Sequence, residues 1–352
     1  NPTSSNGILE SNQGFALMGS SASSAGDVNG DGFGDVIVGA PRFDAGETDE
    51  GAALVFLGSP SGIGNGNPTT AHARFESNQA GSRLGDARAV ASAGDVDGNG
   101  FDDVIVGAPN YFGGASQTGA AFIFEGSSVG LTNGNPLTAA TRLESHKAFD
   151  HLGTSVSSAG DFNGDGYGDV VVGAPSALPG GQGAVYVFLG SSGGIPDGTP
   201  STAPRAFGFD FGGALWGWSV ASAGDMDGDG FGDLIAGAIG YQTLEADEGA
   251  ALLLPQAFGD LVLAQQRRGD GSGAPVQAGG SAHAADRFGI ELIARSPRGR
   301  ERARLETQVC PSGVAFGGAL CTTRISPAWT DLGTSGTTLS QTVTGLTPNK
   351  AY

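Results

Sequence analysis

Short apolar runs bounded by glycine and proline recur along the first two thirds of the chain. Runs such as residues 35–41 (DVIVGAP) and 183–190 (GAVYVFLG) are rich in β-branched and aromatic residues, which is typical of strands. Polar, Gly-rich stretches separate them, as expected of tight turns. We find no amphipathic helical pattern before residue 290. The pattern predicts an all-β fold built from short strands.

The apolar runs belong to a repeat that occurs four times. Similar segments begin at Gly26, Gly94, Gly160 and Gly224, with spacings of 68, 66 and 64 residues. Each is followed by a second apolar run, which begins at Gly51, Gly119, Gly183 or Gly249. A repeat of this length has room for about three to four short strands. Because such a unit buries its apolar faces only against neighbours, the sequence predicts a propeller-type array of four blades.

The repeat stops after about Leu254, where a second region begins. Residues 265–286 form a polar, Gly- and Ala-rich connection, and the segments FGIELIARS, ARLETQV and TLSQTVTGL follow as predicted strands. We therefore predict two domains, residues 1–254 and 255–352. The closing TVTGLTPNKAY is similar to the end of strand E and the following corner in fibronectin type III-like sandwiches, where a tyrosine, here Tyr352, ties down the corner. The second domain is predicted to be an incomplete β-sandwich of this type.

Charge narrows the classes of partner. The chain has 36 Asp and Glu against 17 Lys and Arg, a formal net charge of −19, which disfavours nucleic acid and anionic membranes and favours cations. Acidity can also serve solubility alone, but many of these acids lie in four tight clusters. No apolar run approaches the roughly 18 residues of a membrane helix, so we expect no membrane insertion. No signal peptide opens the chain, and we expect a mature or excised fragment of a secreted or cell-surface protein.

The acidic clusters share one loop pattern, with Asp or Asn at positions 1, 3, 5 and 9. Glycine at position 6 permits a sharp reversal, and the aromatic residue at position 7 can turn its backbone carbonyl inward. Calcium takes six to eight hard oxygen ligands, which alternate side chains of a curled loop can supply. The predicted ligands are Asp27, Asn29, Asp31, Phe33 and Asp35; Asp95, Asp97, Asn99, Phe101 and Asp103; Asp161, Asn163, Asp165, Tyr167 and Asp169; and Asp225, Asp227, Asp229, Phe231 and Asp233.

Two alternatives to calcium stay open. The four loops could be ordinary turns whose carboxylates only cap backbone amides, although three or four carboxylates packed without a cation would repel one another. Magnesium is disfavoured because it requires a stricter octahedron and retains waters. The loops are not EF-hands, since position 12 is apolar in every copy and no helix flanks them. We predict about four calcium ions, one for each of the four loops.

These units resemble the FG-GAP repeats that build the seven-bladed head of integrin α subunits and occur in many bacterial surface proteins. The matching features are the DxDxDGxxD loop, the Gly-Ala-Pro after it and the dipeptides Leu84-Gly85, Leu152-Gly153 and Trp216-Gly217, within residues 8–254. The family has mostly Phe-Gly at the dipeptide, and its propeller has seven repeats where this chain has four. The resemblance implies a calcium-stabilised adhesion or interaction scaffold of the bacterial surface or secreted type.

The sequence is compatible with three functional hypotheses. The first is a calcium-binding extracellular scaffold that presents loops to a protein or glycan ligand. The second is a structural subunit of an extracellular filament or sheath, in which copies of the chain complete its missing blades and sandwich strands. A secreted hydrolase is disfavoured because no catalytic constellation occurs outside the acidic loops. We therefore expect no enzyme.

Other motifs carry weaker hypotheses. The triplet Arg268-Gly269-Asp270 is one that integrins recognise, but Gly-rich acidic sequences produce such triplets by chance. Residues 190–194 match G-x-S-x-G, yet no helix follows them, and similar Gly-Ser pairs in the other repeats indicate a turn. Cys310 and Cys321 suit a disulfide that closes a short loop, with two buried thiols as the alternative.

The histidines and two of the tryptophans give no sign of a binding site. His72, His146, His151 and His283 lack the spacing of a metal site and are expected in solvated loops. Trp216 and Trp218 flank a glycine, and core packing is favoured for them over a surface indole.

Overall fold

The computed structural model describes residues 7–114, 117–208, 212–226, 231–242 and 248–254, together with the backbone of seven strands between residues 262 and 344. The chain divides into two compact units, residues 1–256 and 257–352. All regular structure in the described residues is β, which confirms the predicted all-β class. Within that part of the chain, no helix is long and apolar enough to cross a membrane.

Each repeat of the first unit folds as a meander of antiparallel strands. Sheet order follows chain order in all four repeats. The first blade comprises β1 (Ser21–Gly26), β2 (Asp35–Ala40), β3 (Ala52–Phe56) and β4 (Ala73–Glu76). The second comprises β5 (Val90–Gly94), β6 (Asp103–Ala108), β7 (Ala120–Phe124) and β8 (Thr141–Glu144), and the third β9 (Ser155–Gly160), β10 (Asp169–Ala174), β11 (Ala184–Phe188) and β12 (Arg205–Gly208). The fourth comprises β13 (Trp216–Gly224), β14 (Asp233–Ala238) and β15 (Ala250–Leu254).

Neighbouring blades bury the two middle strands of the second and third sheets on both faces. Every residue of β6, β7, β10 and β11 is buried. This burial explains why the middle strands are continuous apolar runs rather than alternating ones. One buried cluster joins the first blade to the second, where Phe75 stacks on Phe124 with ring centroids 3.9 Å apart. A second cluster joins the second blade to the third, so the repeats form the predicted propeller-type array.

The dipeptides that precede the loops lock each blade to the one before it. Leu84 is fully buried, and its N–H donates to the carbonyl of Glu50 at 3.0 Å. Gly85 has a φ of +76°, and its N–H donates to the carbonyl of Gly107 at 2.9 Å. A Cβ added at Gly39 would clash with the carbonyl oxygen of Gly85. A glycine is required at position 39 because the backbone of Gly85 approaches it too closely to leave room for a side chain.

The two tryptophans of the fourth blade have different environments. Trp216 is only 1% exposed, as core packing requires. Trp218 is half-buried beneath Arg88 of the second blade, whose guanidinium carbon lies 4.7 Å from the ring centroid. Arg88 Nε also donates to the carbonyl of Trp218 at 3.0 Å. The Arg88 side chain, just before β5, thus connects the second blade to the first strand of the fourth blade, which is not its neighbour in the sequence.

The outward face of the fourth blade is open at Leu253. Leu253 is 58% exposed, whereas its counterparts Val55, Ile123 and Val187 are fully buried. Those three residues lie on blade faces that the following blade covers. In the fourth blade, the apolar side chain at this position is therefore not covered by the described residues.

The second unit contains seven described strands: β16 (Val262–Arg268), β17 (Arg287–Ala294), β18 (Arg302–Ala303), β19 (Glu306–Val309), β20 (Thr322–Ile325), β21 (Thr330–Asp331) and β22 (Thr337–Thr344). β16, β17 and β22 form one sheet, while β18 pairs with β21 and β19 with β20. Cys310, Cys321, Tyr352, His283 and Asp270 lie outside the described residues. The disulfide, the fibronectin type III-like corner and the role of the Arg-Gly-Asp triplet thus stay predictions.

Candidate metal centre

Each acidic loop connects the first and second strands of a blade. In the first blade, Gly26 ends β1 with a φ of +82° and Asp35 begins β2. Gly30 and Gly32 between them also have positive φ values, +69° and +86°, which L side chains rarely adopt. The repeated glycines therefore set the tight curl of the loop. In the fourth loop, Asp227 and Asp229 lie outside the described residues.

Carboxylates inside the loops cap backbone amides. Asp27 accepts the N–H groups of Asp31 at 3.1 Å and Gly32 at 2.8 Å, and Asp31 accepts the N–H of Phe33 at 2.9 Å. Equivalent bonds from positions 5 and 6 to position 1 occur in the second and third loops. A carboxylate has about four acceptor sites, so amide capping leaves capacity for a cation. Capping and cation binding are compatible roles for these side chains.

The aspartate at position 9 also has a structural role, which the sequence analysis did not predict: it accepts hydrogen bonds from two separate backbone segments. Asp103 is fully buried and accepts the N–H groups of Val96 at 2.7 Å and Gly126 at 2.8 Å. It thereby ties the loop to the turn that follows β7. Asp35 and Asp169 make the same pair of bonds in their blades. The sequence does contain a signal for this second role. A glycine recurs shortly after the third strand of each of the first three blades, at Gly58, Gly126 and Gly190.

Three carboxylates converge in the second loop. Asp95, Asp97 and Asp103 each place one oxygen so that the three oxygens lie within 4.8 Å of one another. Calcium binds oxygen at about 2.3–2.6 Å, so oxygens up to roughly 5 Å apart can share one ion. The donor set consists of hard oxygens and fits calcium. In the first and third loops position 3 is Asn29 or Asn163, whose amide oxygen replaces a carboxylate.

Burial and crowding make the charged state of this cluster unfavourable. The pKa of Asp103 is raised to about 7, chiefly by burial and also by the charges of Asp97 and Glu125, against the lowering effect of its two N–H bonds. Burial likewise raises the pKa of Asp169 to about 7 and raises that of Asp35. A nearby divalent cation would favour the charged carboxylates.

Glu125 is a neighbour of the second loop that sequence reasoning missed. Burial raises the pKa of Glu125, and the charge of Asp97 raises it further. The equivalent positions in the first and third repeats are Leu57 and Leu189. A comparison of the repeats at this single position, where leucine becomes glutamate, would have identified it.

The described histidines depart from the expected solvated loops. His72 and His151 are half-buried, and His72 Nε2 is fully shielded from solvent. Burial lowers the pKa of His151. Only His146 among these three is exposed, where its Nδ1 lies 3.0 Å from the carbonyl of Gly113. The sequence expectation was wrong for His72 and His151 because both are half-buried, and the ring of His72 lies against Gly130 of the second repeat.

Comparison with known proteins agrees with the repeat geometry. Four segments match the FG-GAP repeat, at residues 18–56, 87–124, 152–188 and 216–253. Integrin alpha-PS5 of Drosophila melanogaster is 38% identical over 156 residues, which are 43% of this chain and 15% of that protein. Integrin alpha-PS2 of the same organism is 33% identical over 232 residues, 60% of this chain and 14% of the relative. Integrin alpha pat-2 of Caenorhabditis briggsae is 32% identical over 231 residues, 62% and 17% of the two chains.

The matched region is a small part of each relative. The chain spans less than a fifth of the length of the integrin α proteins that it matches. The likeness to FG-GAP repeats and to integrin α proteins is confirmed. The bacterial type of the protein and the fibronectin type III-like segment stay predictions.

Proposed function

We propose, on the premise that this is an integrin-α-like chain with four FG-GAP repeats, that it is a calcium-binding extracellular adhesion or interaction scaffold without catalytic activity. The observation that carries the proposal is the convergence of carboxylate oxygens from Asp95, Asp97 and Asp103. The similarity to integrin α subunits supports a surface or secreted location and a protein or glycan ligand. The net charge of −19 argues against nucleic acid.

The residues that would hold calcium are the aspartates and asparagines at positions 1, 3, 5 and 9 and the carbonyl at position 7. Calcium would supply positive charge where several carboxylates crowd together. The buried aspartate at position 9 connects that charge to the rest of the blade, because it also holds the turn after the third strand. Binding would therefore stiffen a whole blade, which suits a scaffold that presents loops on a fixed frame.

Calorimetric titration with calcium tests the cation assignment. We expect saturable binding to the wild-type chain and loss of about one ion per chain in Asp97→Ala, because that substitution removes one of three converging oxygens. Magnesium should bind more weakly. Glu47→Gln is the matched control, since Glu47 is an exposed acid outside the loops. Absence of saturable calcium binding, or unchanged stoichiometry in Asp97→Ala, would contradict the assignment.

A second candidate, the subunit of an extracellular filament or sheath, is favoured by one observation. Leu253 is 58% exposed at a position that three other blades bury against a neighbour. An uncovered apolar strand invites pairing with another chain. Copies of the chain could fill that position in an assembly.

Sedimentation in calcium buffer separates the two candidates. The scaffold predicts a monodisperse monomer whose sedimentation coefficient is unchanged by Leu253→Asp. The filament subunit predicts larger species that Leu253→Asp dissociates. Leu137→Asp is the control, because Leu137 is 84% exposed in a turn outside the blade faces. A monomer up to high protein concentration would exclude the filament role for this chain.

A further inference from the structure

The acidic loops contact one another across the blades through their backbones. In the second, third and fourth loops, the N–H at position 8 donates to the carbonyl at position 1 of the preceding loop. These bonds are Asp102 to Asp27 at 3.1 Å, Gly168 to Asp95 at 2.7 Å and Gly232 to Asp161 at 3.5 Å. A second pair, Ser127 to Val28 and Ser191 to Val96, both 3.1 Å, connects the turn after the third strand to position 2 of the preceding loop.

The aromatic side chain at position 7 also lies on the preceding loop. A Cβ added at Gly30 would lie 2.6 Å from the ring of Phe101, and one added at Gly98 would lie 2.7 Å from the ring of Tyr167. Phe231 covers Gly164 in the same way. Position 4 of each of the first three loops is therefore a glycine that an aromatic ring of the next blade covers. The absence of a Cβ lets the ring approach this closely.

We propose that each of the first three cation loops is completed by the loop of the following repeat, so that the loops bind cations as a coupled series. Phe101, Tyr167 and Phe231 are then positioning residues for the preceding site. The proposal rests on the calcium binding proposed above. It adds that a site comprises residues of two blades rather than one.

The coupling has a simple physical route. The backbone carbonyl of Phe101 is a predicted ligand in its own loop, while its ring covers the preceding loop. A cation that orders the second loop therefore fixes the ring and the N–H donors that support the first loop. By reciprocity, binding in the first loop favours binding in the second by the same factor. Couplings between sites of this kind are typically about 5- to 150-fold in affinity.

The first and second loops share an additional contact that makes them the best pair to test. Position 8 of the second loop is Asp102, whose carboxylate accepts the N–H of Asp27 at 2.8 Å. Glycine occupies this position in the other loops, as Gly34, Gly168 and Gly232. We expect the coupling to be strongest between these two loops.

Hydrogen exchange at single amides during a calcium titration tests the proposal. The N–H groups of Asp31, Gly32 and Phe33 report on the first loop, because each donates to a carboxylate of that loop. In Phe101→Ala, we expect the calcium concentration that protects these amides to rise about tenfold. Phe101→Tyr should retain wild-type protection, because Tyr167 occupies this position in the next repeat. Leu137→Ala is the control and should leave the protection unchanged, because Leu137 is 84% exposed in a turn outside the acidic loops.

Two glycine variants keep the test decisive if Phe101→Ala perturbs folding. Gly30 and Gly32 both have positive φ, +69° and +86°, so alanine strains the backbone at either one. Only Gly30 faces the ring of Phe101, whereas no atom lies within 4 Å of a Cβ at Gly32. Gly30→Ala should weaken protection of the first loop more than Gly32→Ala.

The outcomes are distinguishable. Unchanged protection of the first loop in Phe101→Ala, or equal shifts in the two glycine variants, would overturn the coupling while calcium binding stands. Protection that does not depend on calcium in the wild-type chain would refute the calcium proposal, and the coupling with it.

Discussion

Removal of calcium is expected to lower the melting temperature of the chain by about 5–10 °C for each loop that empties. A ligand that binds only the native state stabilises it by about 2.7 kcal/mol at a free concentration 100 times its dissociation constant. One kcal/mol shifts the melting temperature of a domain of 150–250 residues by roughly 2–4 °C. Calorimetric melting in calcium and in excess chelator measures the difference.

Two controls accompany the melting experiment. Calcium added back in excess of the chelator should restore the original melting temperature, and magnesium should restore less of it. Asp97→Ala should show a smaller difference between calcium and chelator than the wild-type chain, because one loop has lost a ligand. Identical melting curves in calcium and chelator would show that the carboxylates act only as amide caps.

Substitution of the buried aspartate at position 9 is expected to destabilise the chain whether or not calcium is present. Asp103→Ala removes the acceptor of two N–H groups, those of Val96 and Gly126, in a fully buried site. Each buried donor left without an acceptor costs about 1–3 kcal/mol. We expect the free energy of unfolding to fall by about 3–5 kcal/mol, measured by urea denaturation in chelator.

Asp97 provides the matched control for this experiment. Asp97 is half-buried, and its bonds are to Asn99 within the loop. Asp97→Ala should therefore cost about 1 kcal/mol or less in chelator and more in calcium. A similar loss for the two variants in chelator would contradict the separate role of position 9. The comparison distinguishes an aspartate that ties the loop to another turn of the blade from one whose hydrogen bonds stay within the loop.

The sequence already determined the local structure of the first unit. Three features could be predicted from the sequence because each follows from short-range periodicity or turn chemistry. They are the repeats of 64–68 residues, the continuous apolar middle strands and the Asp-Gly loops. The loop residues at positions 1, 5 and 6 lie where the pattern placed them, because their hydrogen bonds join residues at most five positions apart. Such features need no knowledge of which blades become neighbours.

Contacts between distant residues needed the tertiary structure. The bond from Asp103 to Gly126, the half-burial of His72 and the exposure of Leu253 depend on how turns and faces meet after the sheets form. The ring of Phe101 on Gly30 joins residues of two repeats, and nothing in either repeat alone specifies that contact. The sequence thus determined the repeating blade and its acidic loop by local chemistry. Only the packing of one blade on the next decided which residues complete each loop, because that packing brings together positions a whole repeat apart.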